Sequence, residues 1–400
     1  MSFALGLVGC GGMGRRHIRG IERLAKTGTL NFELAAVCDV LPANSGMAAD
    51  MAEAATGLRP GQFHDFEHML KTVKLDGLII TTTPEMHTGM GMLALDAGLH
   101  IMVEKPVTLT VAEGVKLVAA AQSVGKRLAV AENYRRDPIN RLARALIDKG
   151  AIGRPYLAVQ SSSSAGENVV ITPWRHLKNR GGIVVDMGVH YTDILEYLLG
   201  PMDSVFGLNT VVDAQRRDAN GIMHPADAED LSVGVAQFRS GAVANWLLNM
   251  AGRGENHFAR MVYGIGGTLG IPGDRTGQPL RLTMREDGQD RPLTNDDLLA
   301  LAPEYHLDRV TAALFGGERL THYELEWATI DANLLGIEQA DFVEAVVSGR
   351  EPEVDGVQGL RSLALVFAFL ESGLLGRMVH VDDILAGRLS AYEASIGATP

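Results

Sequence analysis

Cysteine is almost missing from this chain: its 400 residues include two, Cys10 and Cys38. So few offer no disulfide framework and no paired metal-ligand spacing, and they favour a reducing compartment. Long apolar runs are missing too. The longest near the C-terminus, "LALVFAFL", is bracketed by Arg361 and Glu371 and is too short to span a bilayer. The opening "MSFALGLVGCGGMG" has neither the basic start nor the cleavage site of a signal peptide. Basic residues are outnumbered, 36 against 48 acidic, which leaves no electrostatic footprint for nucleic acid or an anionic membrane. The expectation is a soluble cytoplasmic protein without nucleic-acid, membrane or metal partners.

What is present is patterned. Up to about residue 130 short apolar runs, "FALGLVG", "FELAAVCD", "LDGLIITTT" and "LHIMVE", read as strands buried on both faces. Helical stretches at 14–26, 43–55, 86–97 and 110–123 separate them. Strand-helix alternation predicts an α/β, Rossmann-type doubly wound parallel sheet over residues 1–133. Beyond "RLAVAENYRRDP" the pattern changes. A helix at 138–149, a strand from Tyr156, a helix at 186–199 and a series of strands follow, with "DLSVGVAQFRSGAVANWLLNM" reading as a hairpin that turns at Ser240-Gly241. Strands gathered apart from helices predict an α+β second domain over 134–400 with an open, mostly antiparallel sheet. Two apolar helices, about 328–347 and 359–374, close the chain. The polar stretch 273–318 reads as loops with a short helix, and "SSSS" (Ser161 to Ser164) as a strand end or loop.

Three motifs carry chemistry. "LVGCGGMGRRH" places Gly9, Gly11 and Gly14 after a strand and at the start of a helix, the arrangement that lets backbone approach a pyrophosphate. Asp39 closes the second strand, where a carboxylate bonds ribose hydroxyls; no Arg or Lys follows it closely, so NAD is favoured over NADP. The second motif, "IMVEKPVTL", sets Lys105 at the carboxyl end of a strand, where a doubly wound sheet binds ligands. A cation there stabilises the alkoxide that develops as hydride leaves carbon. Taken alone, Glu104-Lys105 reads equally well as a surface pair. In the third, "GGIVVDMGVHYTDILEYLLGP", Asp186, His190, Asp193 and Tyr197 share one helical stripe. A carboxylate beside a histidine can fix its tautomer for acid-base work, while an isolated pair is more often structural.

With "GCGGMGRRH", "TTTPEMH" (Thr81 to His87), "EKP", "ENYRRDP" and "GGIVVDMGVHYTD" in one chain, the sequence resembles the glucose-fructose oxidoreductase / inositol dehydrogenase (Gfo/Idh/MocA) family. The resemblance implies an NAD(P)-dependent dehydrogenase that moves hydride between NAD(P) and a hydroxyl of a sugar, polyol or sugar-derived compound. It also implies a homo-oligomer, dimer or tetramer, built through the open sheet, and often a cis bond after the lysine. Lys105, Asp186 and His190 match the catalytic positions. Gly9, Gly11, Gly12, Met13, Gly14, Asp39, Thr82, Pro84, His87, Glu104, Lys105 and Asn133 match cofactor positions. Arg135, Trp174 and Arg175 join Lys105, Asp186 and His190 toward substrate. One departure is Arg180, where many relatives have a third glycine before the helix. On this reading His190 takes the substrate proton, Asp186 orients it and Lys105 holds the oxyanion. Two rivals stand beside it: an NAD-dependent glycosidase or lyase that oxidises a sugar transiently with the same three residues, and a non-catalytic NAD-binding regulator, which would need the cradle but not those three residues.

Overall fold

A computed structural model describes residues 3–397. The first sheet is built from β1 (Phe3–Val8), β2 (Phe32–Cys38), β3 (Gly61–Phe63), β4 (Gly77–Ile80), β5 (His100–Glu104) and β6 (Leu128–Ala131), ordered 3-2-1-4-5-6. All neighbours are parallel. The connecting helices are α1 (Gly12–Thr27), α2 (Pro42–Thr56), α3 (Phe66–Thr72), α4 (Pro84–Asp96) and α5 (Val111–Ser123). This is the doubly wound sheet expected, with β3, α3 and the four-residue β6 added. β3 and α3 are too short and polar to carry a periodic apolar signal.

Next come α6 (Pro138–Asp148), β7 (Pro155–Ala165), α7 (Ile183–Leu199) and β8 (Met202–Thr210). The small ribbon β9 (Gln215–Arg217) and β10 (Met223–Pro225) leads to β11 (Leu231–Phe238), β12 (Val243–Gly252), β13 (His257–Gly264) and β14 (Gly267–Ile271). The chain continues with β15 (Arg281–Glu286), β16 (Gln289–Pro292), α8 (Asn295–Leu301), α9 (Arg309–Phe315), α10 (Trp327–Ser348) and α11 (Gly356–Leu375). It finishes with β17 (Val379–His380), α12 (Val381–Leu385) and α13 (Ala391–Ile396). Nine strands form the second sheet, ordered 16-15-14-13-7-12-11-8-17. Its pairs are antiparallel except β12 with β7. The β11–β12 hairpin turns at Ser240-Gly241 as expected, and "SSSS" ends β7.

One expectation needs correction. The stretch 273–318 holds the β15–β16 hairpin and two short helices, where loops with one helix were expected. Its turn is Asp287-Gly288, both at positive φ (48° and 79°), the geometry a two-residue hairpin turn demands. An edge hairpin needs no apolar alternation, so its residues read as loop. The apolar run 363–370 sits inside α11, a 20-residue helix long and apolar enough to cross a membrane by composition alone, yet its apolar window is 72% buried inside the protein. It is a core helix, packed on β8 and α7. There Phe369 stacks on Trp246 at 4.7 Å, and Trp246 donates from Nε1 to Ser232 Oγ at 2.9 Å.

Late in the chain, α10 returns to the first sheet and packs along α1. The two meet at glycine: a Cβ added to Gly20 would lie 2.8 Å from Gly336 N. A division at residue 133 therefore describes chain order, while in space α10 serves as a layer of the nucleotide-side sheet.

Candidate active site

The cradle after β1 is shaped by what its glycines leave out. Gly9 has φ +91° and lies against the next loop, so an added Cβ would meet the Thr81 carbonyl carbon at 2.8 Å. One added at Gly14 would lie 2.2 Å from Gly9 O. Gly11 and Gly12 differ: added side chains there would enter open space. With half-buried Met13 in its first turn, α1 begins without a side-chain cap, leaving free N–H groups and a positive dipole end at that opening. At the end of β2, Asp39 accepts from Cys10 N at 2.8 Å and Leu41 N at 2.9 Å, which aims the carboxylate beside the cradle. Thr82 Oγ1 and Asn133 Oδ1 are buried without a hydrogen-bond partner. Open space over the glycines and these orphaned polar atoms fit a dinucleotide.

Three residues expected to touch ligand serve as braces. Both ring nitrogens of buried His87 face carbonyls, Pro106 O at 3.0 Å and Thr82 O at 3.2 Å, so the ring ties two loops together. Glu104 spends one oxygen on His17 Nε2 (2.8 Å) and the other on Lys105 N (3.1 Å). Burial opposes its charge, but His17 together with the Lys105 and Arg16 cations holds the carboxyl below its ordinary value. Arg135 is buried in a two-pronged pair with Asp193 (2.8 and 2.6 Å), so its charge is met within the protein and does not reach toward substrate.

The Lys105–Pro106 peptide is cis. Lys105 Nζ lies 2.9 Å from both Asp186 Oδ1 and Asp186 O. Arg175 donates from Nε to Asp186 Oδ2 at 3.0 Å, and its guanidinium lies 4.6 Å from the Trp174 ring centroid. Burial opposes ionisation of Asp186, yet the Lys105 and Arg175 cations hold its carboxyl well below the usual range.

The bond expected between Asp186 and His190 is replaced by another. His190 Nδ1 faces both oxygens of Glu132, each at 2.8 Å, and Glu132 sits just past the end of β6. Burial works against the Glu132 charge, but the neighbouring imidazole holds that carboxyl below its ordinary value. Burial also pulls the His190 pKa down, and Glu132 resists the pull. Tyr134 stacks on the imidazole, centroids 4.1 Å apart and planes 4° from parallel. Helical spacing put Asp186 and His190 on one face, but each reaches across to a different strand end. Sequence reasoning missed Glu132 and Tyr134. The signal was available, because Glu132 follows a strand in the same position as Lys105.

Two family models cover most of the chain. Residues 3–132 match the oxidoreductase family with an NAD-binding Rossmann fold, and residues 140–270 match the GFO/IDH/MocA C-terminal domain. The chain belongs to the Gfo/Idh/MocA family. The chain is similar to the D-apiose dehydrogenase of Paraburkholderia graminis, 27% identical over 98% of this chain and 93% of the relative. An NAD-binding oxidoreductase from Klebsiella pneumoniae shares the fold, with a TM-score of 0.79, 22% identity, and 95% of this chain and 99% of that one covered. A levoglucosan dehydrogenase, solved in complex with NADH and L-sorbose, shares it with a TM-score of 0.78 and 21% identity, covering 96% and 99%. This Gfo/Idh/MocA chain is thus an oxidoreductase, and its polar residues gather where the carboxyl ends of β5 and β6 meet α7.

Proposed function

We propose that the protein oxidises a secondary hydroxyl of a sugar, polyol or sugar-derived compound with NAD as the acceptor. The observation that carries the reading is the His190 imidazole. Glu132 occupies its Nδ1, and Nε2 has no protein partner among the described residues. With Nδ1–H donating to Glu132, Nε2 is a free base for a substrate O–H. Lys105, paired to the Asp186 carboxylate, offers N–H donors to the oxygen as it loses that proton. Arg175 holds the other Asp186 oxygen and so fixes the direction in which Lys105 points. Glu132 then balances the imidazolium charge. The bound dinucleotide supplies the hydride acceptor; Gly11 and Gly12, Asp39, Thr82, Pro84 and Asn133 would hold it.

Asp39 supports NAD over NADP. Its carboxylate has no cationic partner among the described residues, and exposed Val40 and Leu41 follow it. A 2′-phosphate there would meet negative charge. The open face of the second sheet, with Val233, Val235, Val243 and Leu208 exposed, supports self-association into a dimer or tetramer.

The test is a panel of sugars, inositols and sugar acids with NAD and NADP, followed as absorbance of reduced nicotinamide. At least one polyhydroxylated compound should reduce NAD, and Lys105→Met should lower kcat by about 10²–10³ while NADH affinity stays within about twofold. A Lys105→Met variant with wild-type turnover would sink the assignment. Release of aryl alcohol from aryl glycosides without net NADH would replace it with redox-assisted glycoside cleavage.

A further inference from the structure

Arg180 lies beyond residue 133, but its side chain ends on a helix of the first sheet. It closes the one-turn helix Lys178–Arg180, just before the Gly181-Gly182 turn that launches α7. Its Nη2 lies 2.7 Å from Oε1 of Glu85, in the first turn of α4. α4 leaves the carboxyl end of β4, and β4 lies beside β1 where the strand order of the sheet reverses. A dinucleotide in that crevice is walled by the glycine cradle on one side and by Thr82 to Pro84 on the other. The Gly181 turn approaches the same wall, since a Cβ added there would come within 3.8 Å of Pro84 Cγ. Gly181 and Gly182 have φ of 119° and 76°, a bend that side chains would resist, and this bend carries Arg180 to Glu85. Arg180 Nε and Glu85 Oε2 are buried without partners, so the remaining pair of atoms makes the connection.

We propose that the Arg180–Glu85 ion pair is a strap across the mouth of the nucleotide crevice, and that the dinucleotide leaves only when the strap opens. The inference rests on the NAD reading above. The two side chains are 41% and 25% exposed, so the strap is weak and salt-sensitive, suited to timing release rather than preventing it.

The test needs no substrate. Protein loaded with NADH is mixed with excess NAD, and loss of bound-NADH fluorescence gives the release rate. Arg180→Gly and Glu85→Gln should each speed release by about two- to fivefold, the range an ion pair of this exposure supports. The double variant should be no faster than either single variant, and the exchanged pair R180E/E85R should recover slow release. Added salt should accelerate the wild type more than the single variants. Wild-type release rates in both single variants, or effects that simply add in the double, would overturn the strap alone. Failure of the wild type to bind NADH would overturn the NAD reading and the strap with it.

Discussion

Glu132→Gln separates the observed site from the arrangement that helical spacing implied. The substitution keeps the shape and leaves a carbonyl oxygen to accept Nδ1–H, so the histidine stays aimed. It removes the negative charge 2.8 Å from the ring. Two unit charges about 4 Å apart at an effective dielectric near 20 interact by about 4 kcal/mol. That charge pair exists only once His190 has taken the proton, so most of its value belongs to the transition state. Allowing for partial proton transfer, kcat should fall about 10²–10³-fold. The pH profile supplies a sign. Burial lowers the His190 pKa and Glu132 raises it. Without the carboxylate the imidazole protonates at lower pH. The acid limb, on which activity is lost as the base becomes charged, should therefore move down while the plateau drops. Initial rates across pH, with NADH affinity as control, measure both. Asp186→Asn should lower the rate and move that limb less, because its carboxylate is bonded to Lys105 and Arg175 rather than to the imidazole. A Glu132→Gln enzyme within about threefold of wild-type kcat, or a limb displaced upward, would refute the reasoning.

Two further outcomes follow from the same geometry. Asp39→Ser with Val40→Arg replaces the anion beside the cradle with a cation, and should shift the NADP-to-NAD affinity ratio at least about tenfold, or 1.4 kcal/mol, in a fluorescence titration. An unchanged ratio would place the ribose elsewhere. Asp193→Ala leaves buried Arg135 without its counter-charge and should cost about 3–5 kcal/mol, read as a lower urea midpoint. A midpoint equal to that of the wild type would mean that Gln358, 3.4 Å from Arg135 Nη1, suffices as a partner.

The sequence carried most about features fixed by neighbouring residues. The cradle was legible because Gly9 and Gly14 solve a local backbone problem, and α7 because its apolar and polar stripes repeat each turn. The hairpin at Ser240-Gly241 declared itself by alternation on a half-buried surface. Glu132 stayed hidden because it bonds a residue 58 positions away, and the nearer carboxylate at Asp186 made the simpler partner. Arg135 looked like a ligand contact for a similar reason: spacing shows that Asp193 shares a stripe with His190, but not which cation will meet it. The β15–β16 hairpin escaped because edge strands can be polar on both faces; only Asp287-Gly288 betrayed it.

The return of α10 to α1 also orders events during synthesis. Ala131 completes the first sheet, but Trp327, where its covering helix begins, emerges roughly 200 residues later. At 5–20 residues per second the ribosome takes about 10–40 s over that interval. Throughout it the α1 surface at Gly20 and Leu24, which meets Gly336 of α10 in the finished protein, lacks that cover. The nascent chain must keep a greasy helix face in solution until its own tail arrives to cover it.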